Sequence, residues 1–170
     1  MSDRAYSESA LVQFSERLTN SAAFGTLFRE GMDLVEETAA YLDGDGRTEA
    51  KALERSVSLT YATESMRLTT RLMQLASWLL LHRAVKEGEM TLSQANREKT
   101  KVKLSAAEPG PDEMITRLPE QLRDLIARSM SLQSRVRRLD LTIHSPSADR
   151  APIGNPLVPQ LNRLKAAFER

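Results

Sequence analysis

Residues 59–85 read LTYATESMRLTTRLMQLASWLLLHRAV, and this stretch decides the fold. It contains neither proline nor glycine, so nothing in it interrupts a helix. Its apolar and small residues recur every three or four positions on two stripes: Tyr61, Ser65, Leu68, Leu72, Leu75 and Leu79, and Leu59, Ala62, Met66, Thr69, Met73, Ala76 and Leu80. We therefore predict a long helix that begins near Thr48, ends before Gly88 and is buried on more than one side.

A third apolar stripe opens late in this helix, at Trp78, Leu81 and Val85. The turns over residues 75–85 are then apolar nearly all round and need more cover than two short neighbouring helices provide. We therefore predict a homodimer contact through these three side chains. In the alternative, the N-terminal segment covers them.

Two further helices flank the long one. Apolar or small residues spaced three or four apart predict the first helix, with an N-cap at Asn20 or Ser21. We expect this helix to end in the sequence DGDG at 43–46, where a glycine can adopt the left-handed conformation of a C-cap. The last helix is predicted to begin at Pro119 and to end before Pro146. The two registers are Phe24, Phe28, Gly31, Val35, Thr38 and Leu42, and Leu122, Leu125, Ser129, Leu132, Val136, Leu139 and Ile143.

These patterns predict an all-α fold, an antiparallel three-helix bundle with a long central helix, over residues 20–144. Residues 1–19 form an N-terminal extension with a candidate short helix, and 87–111 an extended loop between the second and third helices, with a short helix near 92–97. The final 26 residues, 145–170, hold four of the seven prolines and are predicted to be a flexible tail.

Charge and composition narrow the class of protein. The chain has 170 residues, no cysteine, and 24 basic against 23 acidic residues. Residues 1–46 are acidic and residues 47–104 basic, so the near-zero total hides a gradient. The longest strongly apolar run, 72–81, is half the ~20 residues of a membrane span, and the N-terminus lacks a signal-peptide pattern. We expect a cytoplasmic protein that does not contact membrane.

Sequence signatures of catalysis and cofactor binding are not found. The glycines form neither a dinucleotide nor a phosphate loop, and the DGDG sequence lacks carboxylates at the ends of a calcium loop. His82 and His144 are expected near the C-termini of the second and third helices. In an antiparallel bundle these two C-termini lie at opposite ends, so no shared metal site is predicted. We expect no catalytic residue, no metal and no cofactor, and hence no enzyme.

Two segments are candidates for binding. The tail carries the spacing of a short amphipathic helix at Val158, Leu161, Leu164 and Phe168, which either docks on the bundle or binds a partner. The loop carries a basic alternation at Arg97, Lys99, Lys101 and Lys103. With the cluster Arg135, Arg137 and Arg138, the loop supports an alternative function as a nucleic-acid-associated transcriptional regulator. No DNA-binding motif or stacking aromatic accompanies it, so nucleic acid is not the expected partner.

Three segments together resemble one known family: SLTYATESMRLTTRLMQLASWLLLHRAVKEGEMT at 58–91, GMDLVEETAAYLDGDGR at 31–47 and REKTKVKL at 97–104. They are similar to the regulator of CtrA degradation (RcdA) family of bacterial cell-cycle proteins. The resemblance implies a dimeric three-helix bundle that acts as a non-enzymatic adaptor for the ClpXP protease. It also implies work with a CpdR-like partner, delivery of regulatory substrates and a location at the cell pole.

The four apolar residues of the tail, Val158, Leu161, Leu164 and Phe168, are predicted to anchor it in a groove of a partner, and we call them the tail anchors. They lead to a first testable prediction. Deleting residues 146–170 is expected to slow substrate delivery, because a tethered peptide raises the local concentration of its partner to roughly millimolar. Circular dichroism and dimer mass should stay nearly unchanged. Loss of folding on deletion would instead show that the tail is part of the core.

Overall fold

The computed structural model describes residues 21–99 and 110–144, and the regular elements in these two ranges are all helices. The all-α fold with a long central helix is thus confirmed. The predicted tail anchors, and Lys101 and Lys103 of the loop, lie outside the described residues. The helices are α1 (Ala22–Asp43), α2 (Asp45–Ala52), α3 (Arg55–Lys86), α4 (Leu92–Lys99), α5 (Asp112–Ile115) and α6 (Glu120–His144).

Helix α1 begins and ends where the sequence predicts, but its C-terminus has a different cause. The Ser21 Oγ caps the first turn by accepting a hydrogen bond from the Phe24 N–H at 3.2 Å. At the other end Gly44 has a φ of −107°, so it is not left-handed. A Cβ at this position would lie 2.9 Å from the Ala40 carbonyl oxygen, and this close approach is what requires glycine.

The prediction of one continuous helix from Thr48 is wrong, because the helical conformation is interrupted between α2 and α3. Leu53 and Glu54 are extended, with ψ angles of 147° and 148°. Neither residue is a strong helix breaker. The half-buried Leu53 side chain packs on the hydrophobic core, so tertiary packing outweighs the local preference for helix.

Helix α3 and helix α6 run parallel, so the antiparallel order holds only between α1 and each of them. Contacts between α3 and α6 advance together along both helices, from Arg71 with Ser129, through Trp78 with Asp140, to His82 with His144. Contacts between α1 and α6 run in opposite senses, as Glu37 with Arg128 and Glu30 with Arg135. The bundle is therefore not the predicted up-down-up arrangement.

The connection between α3 and α6 makes this parallel order possible. Two parallel neighbouring helices need a connection long enough to return along the first helix, and the chain between α3 and α6 has the 33 residues 87–119 for it. Helix α4, the short helix predicted near 92–97, packs on α3 with Ala95 fully buried. Farther on, the Gly110 N–H donates to the Glu64 Oε1 at 3.1 Å, near the other end of α3. The described parts of the extended loop thus contact α3 at two places, through α4 and through Gly110.

The core contains charged groups as well as apolar ones. Glu64 and Arg71 are 2% and 1% exposed, on the same helix as the buried Leu68, Leu72 and Leu75. Arg71 donates to the Ser129 Oγ at 2.9 Å, and Arg67 donates to Glu64 at 2.6 Å. These bonds offset the cost of removing charges from water, and the Arg71 bond also links α3 to α6. No helix of the described ranges has both the length and the apolarity of a membrane span.

Substitution of a glycine in α1 tests how closely the helices of the bundle pack. A Cβ at Gly31 would overlap the Leu79 Cδ1, and Leu79 is fully buried, so Gly31→Ala should destabilise the fold by about 1–3 kcal/mol. The matched control is Gly25→Ala in the same helix, where nothing lies within 4 Å of the added Cβ. The control should be neutral or stabilising by up to ~1 kcal/mol in chemical denaturation. Equal stabilities of the two variants would contradict the close packing.

Candidate functional site

One face of α3 exposes a row of large apolar side chains, which we call the α3 stripe. Leu59, Met66, Met73 and Leu80 are 71%, 72%, 66% and 52% exposed. Large apolar residues spaced seven apart keep to one side of a helix, and such a seam is typical of helix-to-helix contacts. The stripe is therefore a candidate interaction surface.

Smaller residues lie between the large ones along this face. Ala62, Thr69 and Ala76 follow three residues after the first three members of the α3 stripe, so knobs alternate with shallow depressions. Beside them a groove of about 330 Å³ runs between α3 and α1, with Val35, Ala39 and Leu42 on the α1 side. The shape of this face fits a partner helix better than a small molecule.

The sequence-predicted interface residues lie elsewhere, and Trp78 is not among the surface residues. Trp78 is fully buried, with its ring stacked on His82 and its Nε1 donating to Asp140 at 2.8 Å. The prediction that it contacts a second copy is therefore wrong, because its own chain covers it. Leu81 and Val85 are half-buried, and their role in an interface stays a prediction. Periodicity identified the apolar stripes but could not tell which one faces outward.

Much of the basic charge is engaged within the fold. Lys99 of the predicted basic loop forms an ion pair with Asp140 at 2.8 Å, and the Arg97 side chain lies at the surface. On α6, Arg135 forms a two-bond ion pair with Glu30, and Arg128 forms one with Glu37. The hydrogen bonds from Arg135 and Arg128 lower the pKa of Glu30 and of Glu37, respectively. The acidic first helix therefore neutralises part of α6, which weakens the nucleic-acid alternative.

The two histidines lie together, contrary to the sequence prediction. The Nε2 atoms of His82 and His144 are 2.9 Å apart, because the parallel order of α3 and α6 brings their C-terminal ends to the same end of the bundle. His82 is fully buried and its Nδ1 lies 2.9 Å from the Trp78 carbonyl oxygen. Asp140 completes the group, with its Oδ1 3.7 Å from the His144 Nε2. We call His82, Asp140 and His144 the histidine cluster.

Burial controls protonation in the histidine cluster. It lowers the pKa of His82, and the same effect, strengthened by the charge of Lys99 and by His82, lowers the pKa of His144 to about 4. Both rings are therefore neutral near pH 7. In that state one ring donates its Nε2–H to the Nε2 lone pair of the other, and the Nδ1–H of His82 donates to the Trp78 carbonyl.

Sequence reasoning missed this cluster for a specific reason. An up-down-up order places the ends of the second and third helices at opposite ends of the bundle, and that order was assumed. The signal available was the length of the 87–119 connection, which is far longer than a turn between antiparallel neighbours needs. Asp140 gave no signal of its own, since an acidic residue on a helix is normally exposed.

Comparisons with known proteins show which protein family the chain belongs to. Residues 15–168 match the model of the family described as "Protein of unknown function (DUF1465)". No curated protein sequence matches the chain significantly. The crystal structure of RcdA from Caulobacter crescentus CB15 is similar at 49% sequence identity and a TM-score of 0.64, covering 78% of this chain and 99% of that chain. The chain therefore belongs to the RcdA family, the family that the DUF1465 model describes.

Proposed function

We propose that this protein is a non-enzymatic adaptor that delivers regulatory substrates to the ClpXP protease together with a CpdR-like partner. The observation that carries the proposal is the 49% identity to RcdA across 99% of the solved RcdA chain. At that level of identity two proteins share their fold. The role expected from the family resemblance therefore extends to this chain, in the cytoplasm and at the cell pole.

The described surface suits an adaptor because it offers apolar area for protein contacts. The α3 stripe exposes four large apolar side chains on one face of a 32-residue helix, about 48 Å long at 1.5 Å per residue. Contiguous apolar surface of this kind usually marks a site of protein association. An adaptor gains avidity by holding one partner on such a folded face and another through a tethered segment.

We further propose that a second copy of this chain occupies the α3 stripe. Large residues alternating with Ala62, Thr69 and Ala76 in a seven-residue repeat suit packing against an identical helix, because the knobs of each copy enter the depressions of the other. Each buried large side chain would contribute about 1.5–3 kcal/mol. We therefore still propose the homodimer predicted from the sequence, but with its contact on the α3 stripe instead of at Trp78.

Reconstituted proteolysis tests the adaptor role. Purified ClpXP, ATP, the CpdR-like protein and a candidate regulatory substrate are incubated with and without this chain, and substrate loss is followed over time. The expected result is a several-fold faster loss that needs both the chain and the CpdR-like protein. A substrate lacking its degradation signal is the control and should stay intact. Unchanged rates across a panel of cell-cycle regulators would contradict the proposal.

Two charge substitutions test the dimer. Met73→Glu places a carboxylate in the middle of the α3 stripe and should yield monomers by light scattering, because an unpaired charge would be buried at the contact. The matched control is Leu141→Glu on α6, since Leu141 is 67% exposed and Met73 66%. The control should keep the dimer mass, and both variants should keep the helical circular dichroism of the parent. A dimeric Met73→Glu variant, or a monomeric parent, would show that the stripe does not bind a second copy.

A further inference from the structure

The histidine cluster joins the C-terminal ends of α3 and α6 and gathers three groups that can ligate a metal. One ring nitrogen from each histidine and one carboxylate oxygen of Asp140 all lie within 4.8 Å of one another. We propose that His82, Asp140 and His144 bind a zinc ion. The proposal stands independently of the adaptor function.

The donor set selects the class of metal. Two imidazole nitrogens and one carboxylate oxygen match the ligands of zinc sites, whereas calcium and magnesium prefer all-oxygen sites. Three protein ligands leave a fourth tetrahedral position for water. That position is expected on the side of His144 and Asp140, because their side chains are 9% and 12% exposed while His82 is fully buried.

The distances require only a small adjustment. Zinc–ligand bonds of about 2.0–2.1 Å at a tetrahedral angle place two ligand atoms about 3.3 Å apart. The two Nε2 atoms are 2.9 Å apart, and the His144 Nε2 is 3.7 Å from the Asp140 Oδ1. Each of these two separations differs from the ideal by about 0.4 Å. The ligand atoms of the whole cluster lie within 4.8 Å of one another, so the His82 and Asp140 side chains also have to move closer together around a metal. His144 is the last residue of α6.

The surroundings already orient two of the three ligands. A histidine that binds metal through Nε2 normally donates its Nδ1–H to a carbonyl or carboxylate, and the His82 Nδ1 lies 2.9 Å from the Trp78 carbonyl oxygen. The Trp78 Nε1 and the Lys99 Nζ each donate to Asp140 at 2.8 Å, one to each carboxylate oxygen. The Asp140 side chain is therefore fixed before a metal arrives.

The hydrogen bonds and charges at the site affect a bound metal in different ways. Binding at the His144 Nε2 requires that a proton on this nitrogen move to Nδ1, because the nitrogen binds the metal through its lone pair. The Lys99 ammonium opposes a cation by its charge, but it pairs with the Asp140 Oδ2 rather than Oδ1. The Oδ1, which lies nearest His144, accepts the Trp78 Nε1–H and keeps a second lone pair that can bind the metal. Removing the Lys99 charge should therefore tighten binding.

A zinc titration of the full chain, produced without a polyhistidine tag, tests the proposal. The chain has no cysteine and its only two histidines are both in the cluster, so imidazole ligation of zinc can come from no other residue. Competition against a chromophoric chelator should give one zinc per chain. His144→Gln and Asp140→Asn should each weaken binding at least 10-fold.

Two further variants separate ligation from folding. Asp124→Asn makes the same change as Asp140→Asn on the same helix at a side chain that is 59% exposed, and it should leave zinc affinity unchanged. Lys99→Gln should raise affinity, an effect that misfolding would not produce. Cobalt in place of zinc should give intense d–d absorption in the parent and lose it in His144→Gln. Absence of one-to-one binding, or equal affinities in parent, His144→Gln and Asp140→Asn, would overturn the proposal.

Discussion

The parallel pairing of α3 with α6 is the constraint on which the rest of the structure depends. Three buried polar contacts hold it in register, from Arg71 with Ser129 through Trp78 with Asp140 to the histidine pair. Buried polar groups are costly when they lose their partners, so a shift of one helix along the other by a single turn would leave several of them unsatisfied. The apolar contacts of α3 are compatible with more than one register, whereas these bonds select one.

That register accounts for the crossover and for the surfaces. A parallel pair obliges the connection between α3 and α6 to return along the bundle. In its described parts, Ala95 of α4 is buried, Lys99 pairs with Asp140 of α6, and the Gly110 N–H donates to Glu64 of α3. With α1, α6 and the crossover arranged around it, α3 still leaves its Leu59-to-Leu80 face exposed. The same arrangement that buries Trp78 therefore produces the apolar face proposed for a second copy of the chain.

Sequence reasoning succeeded where a local signal is strong and failed where a choice between equivalent faces or directions is needed. Ser21 and Pro119 marked helix starts correctly, and the Thr91 and Gln94 cap of α4 fits the short helix expected in the loop. The break at Leu53 was missed because no local breaker marks it. Trp78 was assigned to the surface because a helix with several apolar stripes does not reveal which stripe its neighbours cover.

The sequence by itself determined an all-α chain, its long central helix and its family, because periodicity, caps and the 58–91 segment are properties of contiguous residues. Only the tertiary structure decided the direction of α6, the exposure of the α3 stripe and the meeting of His82 with His144 across 62 positions. The physical reason is that side-chain periodicity is the same whichever way a helix points. Direction is set by the long-range contacts that satisfy Arg71, Trp78 and Asp140 in the core.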